Sequence, residues 1–130
     1  MAAVVAYVRR TMLPLVNAGT LAWLLHRVTG VALALYLIPH FVYVNAARGG
    51  AAAFDRELAG LATPLFAVAE WLLIAAVAFH AFNGVRIIAV DCIDLAPQHK
   101  RLFWLVLLAC TAVFLAASVL FVPRILAPAA

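Results

Sequence analysis

His80 interrupts an Ala-rich apolar stretch, 65–90, long enough to cross a bilayer, and Asn83, Gly84 and Arg86 follow it within two turns. An imidazole surrounded by hydrocarbon needs a partner, either a hydrogen-bonding group on a neighbouring helix or a metal ion. His26 and His40 stand in the preceding apolar stretch, fourteen residues apart. At 3.6 residues per turn that spacing returns them to nearly one face, about 21 Å apart along the axis. Gly30, Leu33 and Leu37 fill the stripe between them, and on the second stretch His80, Asn83, Gly84, Ile87 and Asp91 share a face by the same arithmetic. Gly30 and Gly84 let a neighbouring backbone or a flat ligand approach closely. The chemistry on offer is ligation or hydrogen bonding of something polar or metallic held between membrane helices.

Depth divides these residues. With the inner boundary near Arg27 and Arg86, His80 lies about six residues or ~9 Å deep and His40 about thirteen residues or ~20 Å deep. One metal cannot be bound by both, and the third apolar stretch has no histidine. If these are axial haem ligands, a second subunit must supply the opposite imidazoles. Each residue also has a plainer reading. His80 serves equally as interhelical glue, His40 as an interfacial side chain. His26, beside Arg27, is on this counting too shallow to place a porphyrin in the bilayer, and reads as a donor or propionate partner. Arg27 and Arg86 can bind haem propionates or donate to a quinone carbonyl, the alternative being snorkelling. Asp91 can accept from Arg27, deliver protons or stay solvated. Trp23 and Thr20 add an indole N–H and a hydroxyl at the same boundary. Glu70, about six residues in from the outer side, is a costly group that either snorkels or assists proton movement.

The elements that position these residues follow from composition. The 130 residues are 69% hydrophobic and 11% charged, whereas a soluble domain carries about a quarter charged residues. Three spans result, about 21–44, 65–90 and 102–122, in a single integral membrane domain, 1–130, with no room for an extramembrane domain. A net charge of +4 sets topology here rather than attracting nucleic acid. Arg9, Arg10, Arg27, Arg86, Lys100 and Arg101 lie on one side and Arg48, Arg56 and Arg124 on the other, which puts the N-terminus in the cytoplasm and the C-terminus outside. Residues before 21 read as a short interfacial segment and not a cleaved signal. Thr20 is expected to cap the first span, Pro39 to kink or end it, and Thr63-Pro64 to open the second. Residues 51–61 read as an amphipathic surface helix, 91–101 as the inner loop, and the third helix should end near Pro123. Cys92 and Cys110 form no disulfide framework, and without a C-x-x-C-H run any haem must be non-covalent.

His26-Arg27-Val28-Thr29-Gly30, followed by His80-Ala81-Phe82-Asn83-Gly84-Val85-Arg86 and then Asp91, closely resembles the cytochrome b membrane-anchor subunits of succinate dehydrogenase. The first motif alone is weak; joined to the second, in order, in a three-span chain, it is specific. The resemblance implies an all-α anchor whose first two membrane helices form half of a haem-binding four-helix bundle with a second anchor subunit. It further implies a flavoprotein and an iron–sulfur protein on the inner side, a bacterial-type cytoplasmic membrane, and His80 as axial ligand of the inner haem b. Arg27 and Asp91, with Trp23 and Thr20, match positions near the quinone site, and His26 and Arg86 positions near haem propionates. One-haem, ubiquinone-using relatives often carry a serine where Trp23 stands and generally lack a histidine at the position of His40. His40 resembles instead the outer ligand of two-haem anchors, so two haems and menaquinone are expected. The competing expectations are a fumarate reductase anchor, a haem-free assembly anchor, and a small proton-coupled transporter using the histidines and Glu70.

Overall fold

The computed structural model describes residues 17–126, so residues 1–16, including Arg9, Arg10 and the interfacial segment expected there, lie outside the described part. Among the described residues the chain is helical throughout. Helix α1 spans Ala18–Asn45, a short α2 Ala51–Leu61, α3 Pro64–Cys92 and α4 His99–Leu126. Single 3₁₀ turns, Ala46–Gly49 and Ala96–Gln98, lead into α2 and α4. The three long helices have 28, 29 and 28 residues, each about 42 Å of rise against a ~30 Å hydrocarbon core. All three are long and apolar enough to cross a membrane.

The ends form for local reasons. Thr63 accepts from the Phe66 N–H at 3.3 Å and Pro64 takes the first helical position, as its sequence dictates. The α1 cap differs from expectation: Asn17, not Thr20, holds that place, its Oδ1 accepting from the Thr20 N–H at 2.8 Å. Asparagine outranks threonine as a cap because its amide oxygen reaches the free N–H groups with less strain. Pro39 does not end α1, and Pro123 lies inside α4, which continues to Leu126. Stopping a helix in lipid would strand several backbone groups, a larger penalty than the one hydrogen bond a proline removes. The connection between α3 and α4 is correspondingly shorter than 91–101: Asp91 and Cys92 complete α3, and His99, Lys100 and Arg101 begin α4. Asp94, at φ 56°, makes the reversal between them, a left-handed conformation that Asp adopts more readily than most residues.

Helix α3 is the centre of the bundle, packed chiefly on α4 and then on α1. A small core of Ala22, Phe79, Phe103 and Val106, flanked by Leu25, Leu107 and Cys110, seals the three helices in the half nearer the α3–α4 connection. Farther out, Trp71 stacks on Phe114 at 4.6 Å and donates its indole N–H to Ser118 Oγ at 3.0 Å. Most other leucines, valines and phenylalanines face outward, the arrangement expected where lipid or another membrane helix is the solvent.

Candidate functional site

The antiparallel register of α1 and α3 is read directly from two contacts. Ala22 lies level with Asn83, whose Nδ2 donates to the Ala22 carbonyl at 3.5 Å, and His26 lies level with His80 one turn farther along α1. The His26 and His80 rings stack with centroids 4.0 Å apart and planes within 6°. The sequence-based depths were therefore wrong in one respect: His26 is not shallower than His80. Counting each helix from its own arginine had assumed that Arg27 and Arg86 are level, whereas packing offsets them by roughly seven residues.

His80 is held from behind by α1. Its Nδ1 is 3.2 Å from the His26 carbonyl oxygen and 3.2 Å from Thr29 Oγ1. A carbonyl only accepts, and the Thr29 hydroxyl already donates its single proton to the Leu25 carbonyl at 2.7 Å, with the His26 carbonyl at 3.1 Å also in range. Both oxygens thus require Nδ1 to carry the proton. In the neutral ring Nε2 then keeps its lone pair, the tautomer a metal ligand needs. Gly30 makes this approach possible, since a Cβ there would come within 3.0 Å of His80 Cε1. At Gly84 a Cβ would meet His26 Cε1 at 3.7 Å, an ordinary contact. His26 Nδ1 is buried with no hydrogen-bond partner among the described residues.

The arginines separate. Arg86 turns toward α4, donating from Nε and one terminal nitrogen to the His99 carbonyl at 3.3 and 3.1 Å, and from the other to Asn83 Oδ1 at 3.4 Å. Three of its five N–H groups are so engaged, and two remain for an anion. Arg27 is exposed, its guanidinium 4.3 Å above the Trp23 ring. Thr20 sits two turns nearer the start of α1, and Asp91, exposed, in the last turn of α3. By the Ala22–Asn83 register, Asp91 is about 20 Å of helix rise from Arg27 but only about 9 Å from Thr20. Of the alternatives open to Asp91, pairing with Arg27 is the one this register does not bring together.

At the other end α1, α2 and α3 enclose a cavity of about 570 Å³. Tyr36, His40 and Tyr43 line one wall, Phe54, Leu58 and Leu61 of α2 another, and Phe66 and Glu70 the third. His40 is exposed, with Nδ1 3.3 Å from the Tyr36 hydroxyl. Glu70, read from sequence as a costly group that either snorkels or assists proton movement, shares this cavity with His40. Fourteen residues of α1 separate His40 from the His26–His80 pair, about 21 Å of rise, so the two imidazole sites occupy different layers.

Two residues escaped the sequence reading as site residues. Thr29 entered only as part of a motif, although its position three after His26 puts it on the same face. Asn83, completely buried, was noted only for sharing the face of His80. An asparagine in an apolar span is itself the signal, because its amide must find partners.

A family model described as succinate dehydrogenase/fumarate reductase transmembrane subunit matches residues 9–118. The chain is 33% identical over 91 residues to the succinate dehydrogenase 2 membrane subunit SdhC of Mycobacterium tuberculosis, covering 69% of this chain and 67% of that one. It is also 33% identical over 105 residues to the succinate dehydrogenase hydrophobic membrane anchor subunit of Halobacterium salinarum, covering 79% of each. The corresponding subunit of Archaeoglobus fulgidus is 37% identical over 71 residues, 55% of this chain and 61% of that one.

Proposed function

The chain belongs to the succinate dehydrogenase/fumarate reductase transmembrane subunit family, as a multi-pass membrane anchor, and from that premise we propose that it binds haem b and helps form a quinone site. The observation that carries the proposal is the fixed tautomer of His80: a carbonyl and a back-bonded hydroxyl hold Nδ1–H and leave Nε2 as a ready donor to iron. The residues fit a porphyrin on two further counts. Gly30 clears the space against which the His80 ring lies, and the His26 ring, stacked alongside, retains a buried nitrogen without a partner among the described residues. His80 would be the inner axial ligand and His40 the outer one, with a second anchor subunit giving the opposite imidazoles. His26 and the two uncommitted N–H groups of Arg86 would meet propionates. Bound haem b supplies one-electron exchange, and imidazoles on both faces keep the iron closed to oxygen.

At the inner surface the exposed Arg27, with Trp23 and Thr20, would donate to a quinone carbonyl and stabilise the negative charge that builds on reduction. Asp91, nearer the inner end, would pass protons from the cytoplasmic side rather than pair with Arg27. Iron–sulfur and flavoprotein partners would carry out the succinate chemistry, and this chain the pocket. The named relatives are succinate dehydrogenase subunits, which favours the oxidative direction over fumarate reduction. We further assign the chain to a bacterial-type cytoplasmic membrane with the N-terminus inside, and menaquinone as the acceptor.

A pyridine haemochrome count on the purified complex tests the reading. Two haems per complex are expected, one lost on substituting His80 and the other on substituting His40. A single haem insensitive to His40 would remove the outer ligand. A complex colourless in the Soret region would remove both and leave a haem-free anchor.

A further inference from the structure

Thr29 Oγ1 stands at the junction of three groups: it donates to the Leu25 carbonyl at 2.7 Å, lies 3.1 Å from the His26 carbonyl, and lies 3.2 Å from His80 Nδ1. A threonine that bonds only its own helix is an ordinary way to satisfy a hydroxyl in an apolar span. The contact across to α3, 51 positions away in sequence, goes beyond that role. Because the hydroxyl proton is directed at Leu25, an oxygen lone pair is left facing the imidazole. We propose that Thr29 is a positioning residue for His80, accepting from Nδ1–H and thereby tuning Nε2 as a donor to iron. The inference rests on His80 being a haem ligand.

Two acceptors on one N–H draw the proton away from the ring and raise the electron density at the opposite nitrogen. A more basic Nε2 favours oxidised iron, so removing one acceptor raises the reduction potential of the haem that His80 holds. The remaining acceptor, the His26 carbonyl, is backbone and survives any substitution, which limits the effect to tuning rather than loss of the group.

The test is a spectroscopic redox titration of the purified complex carrying Thr29→Val or Thr29→Ser, with low-spin electron paramagnetic resonance on the oxidised form. Thr29→Val is expected to raise the midpoint of the His80-linked haem by about 59 mV, a tenfold change in a one-electron equilibrium, and to move its g-values. Thr29→Ser, which restores the hydroxyl, is expected to leave both near the native position. Equal midpoints for Val, Ser and native chains, with haem content intact, would overturn the proposal and leave Thr29 a helix-satisfying residue. If the Val variant does not assemble, Thr29→Ala takes its place, and an Ala midpoint matching Ser has the same adverse meaning. A His80→Ala complex that keeps both haems would defeat the ligand reading itself, and a colourless native complex would defeat both.

Discussion

His80 and His40 are both imidazoles on membrane helices, and both have Nδ1 near an oxygen of α1, yet their supports differ in kind. His80 is braced across a helix–helix contact by a carbonyl, which can only accept, so the chain alone settles its tautomer. His40 leans on Tyr36 of its own helix, and a phenol either donates or accepts, so its tautomer is left to whatever fills the cavity. His80 lies beside the packed core of Ala22, Phe79 and Phe103, whereas His40 is exposed on the wall of a cavity. The contrast teaches that packing between α1 and α3 orients the His80 ring, whereas the only support given to His40 among the described residues comes from its own helix.

The largest expected effect breaks that comparison at its root. His80→Ala should abolish the inner haem and also loosen α1 from α3, since the same ring stacks on His26 and bonds its carbonyl. His40→Ala should abolish the outer haem with no loss of assembled complex. Haem content and complex yield, measured together, separate the two. Equal losses of yield would show that the outer site supports assembly as much as the inner one.

Next in size is the glycine pair. Gly30→Ala places a methyl 3.0 Å from His80 Cε1, and because that ring is tied by two hydrogen bonds it has little freedom to give way. Overpacking of this kind costs about 1–3 kcal/mol and should appear as a fall in inner haem content. Gly84→Ala meets only a 3.7 Å contact and should be neutral or stabilising by about 0.5–1 kcal/mol through reduced chain entropy. Thermal inactivation of the complex and its optical spectrum check both.

Much of this architecture could be read from residues alone, for a reason specific to lipid. A bilayer demands long uninterrupted apolar helices, so the three spans, the Thr63-Pro64 start and the amphipathic 51–61 segment were legible in composition and pattern. What pattern could not supply was the axial offset between helices. That offset depends on how Ala22, Phe79 and Phe103 nest and on where the Asn83 amide meets the Ala22 carbonyl. It is the offset that joins His26 to His80 and that keeps Arg27 from Asp91. The commitment of Arg86 to the His99 carbonyl was hidden too, since the first turn of α4, where His99 stands, had been read as the end of a loop.

Asn83 offers a third and smaller test, of the offset itself. Its amide is the buried polar side chain among the described residues, linking Arg86 on its own helix to the α1 backbone. Asn83→Leu removes the amide's bond to the Ala22 carbonyl, which keeps its own helical hydrogen bond, and releases one Arg86 donor, at about 0.5–1.5 kcal/mol. The complex should unfold at lower temperature, with the inner haem spectrum disturbed and the outer one unchanged. An effect on both haems alike would mean that the register spans the whole bundle rather than the inner half.

Tyr36→Phe is the gentlest probe and bears on the outer site alone. It removes the hydroxyl 3.3 Å from His40 Nδ1 while keeping the ring in the cavity wall. A long, exposed hydrogen bond contributes about 0.5–1.5 kcal/mol at most, so stability and haem content should hold. The informative quantity is the midpoint of the His40-linked haem. If a partner or bound group supplies the other support for Nδ1, the midpoint should shift less than it does for Thr29→Val at the inner site. A larger shift would mean that the phenol, not a partner, fixes the outer imidazole, and the two sites would then be built on the same plan after all.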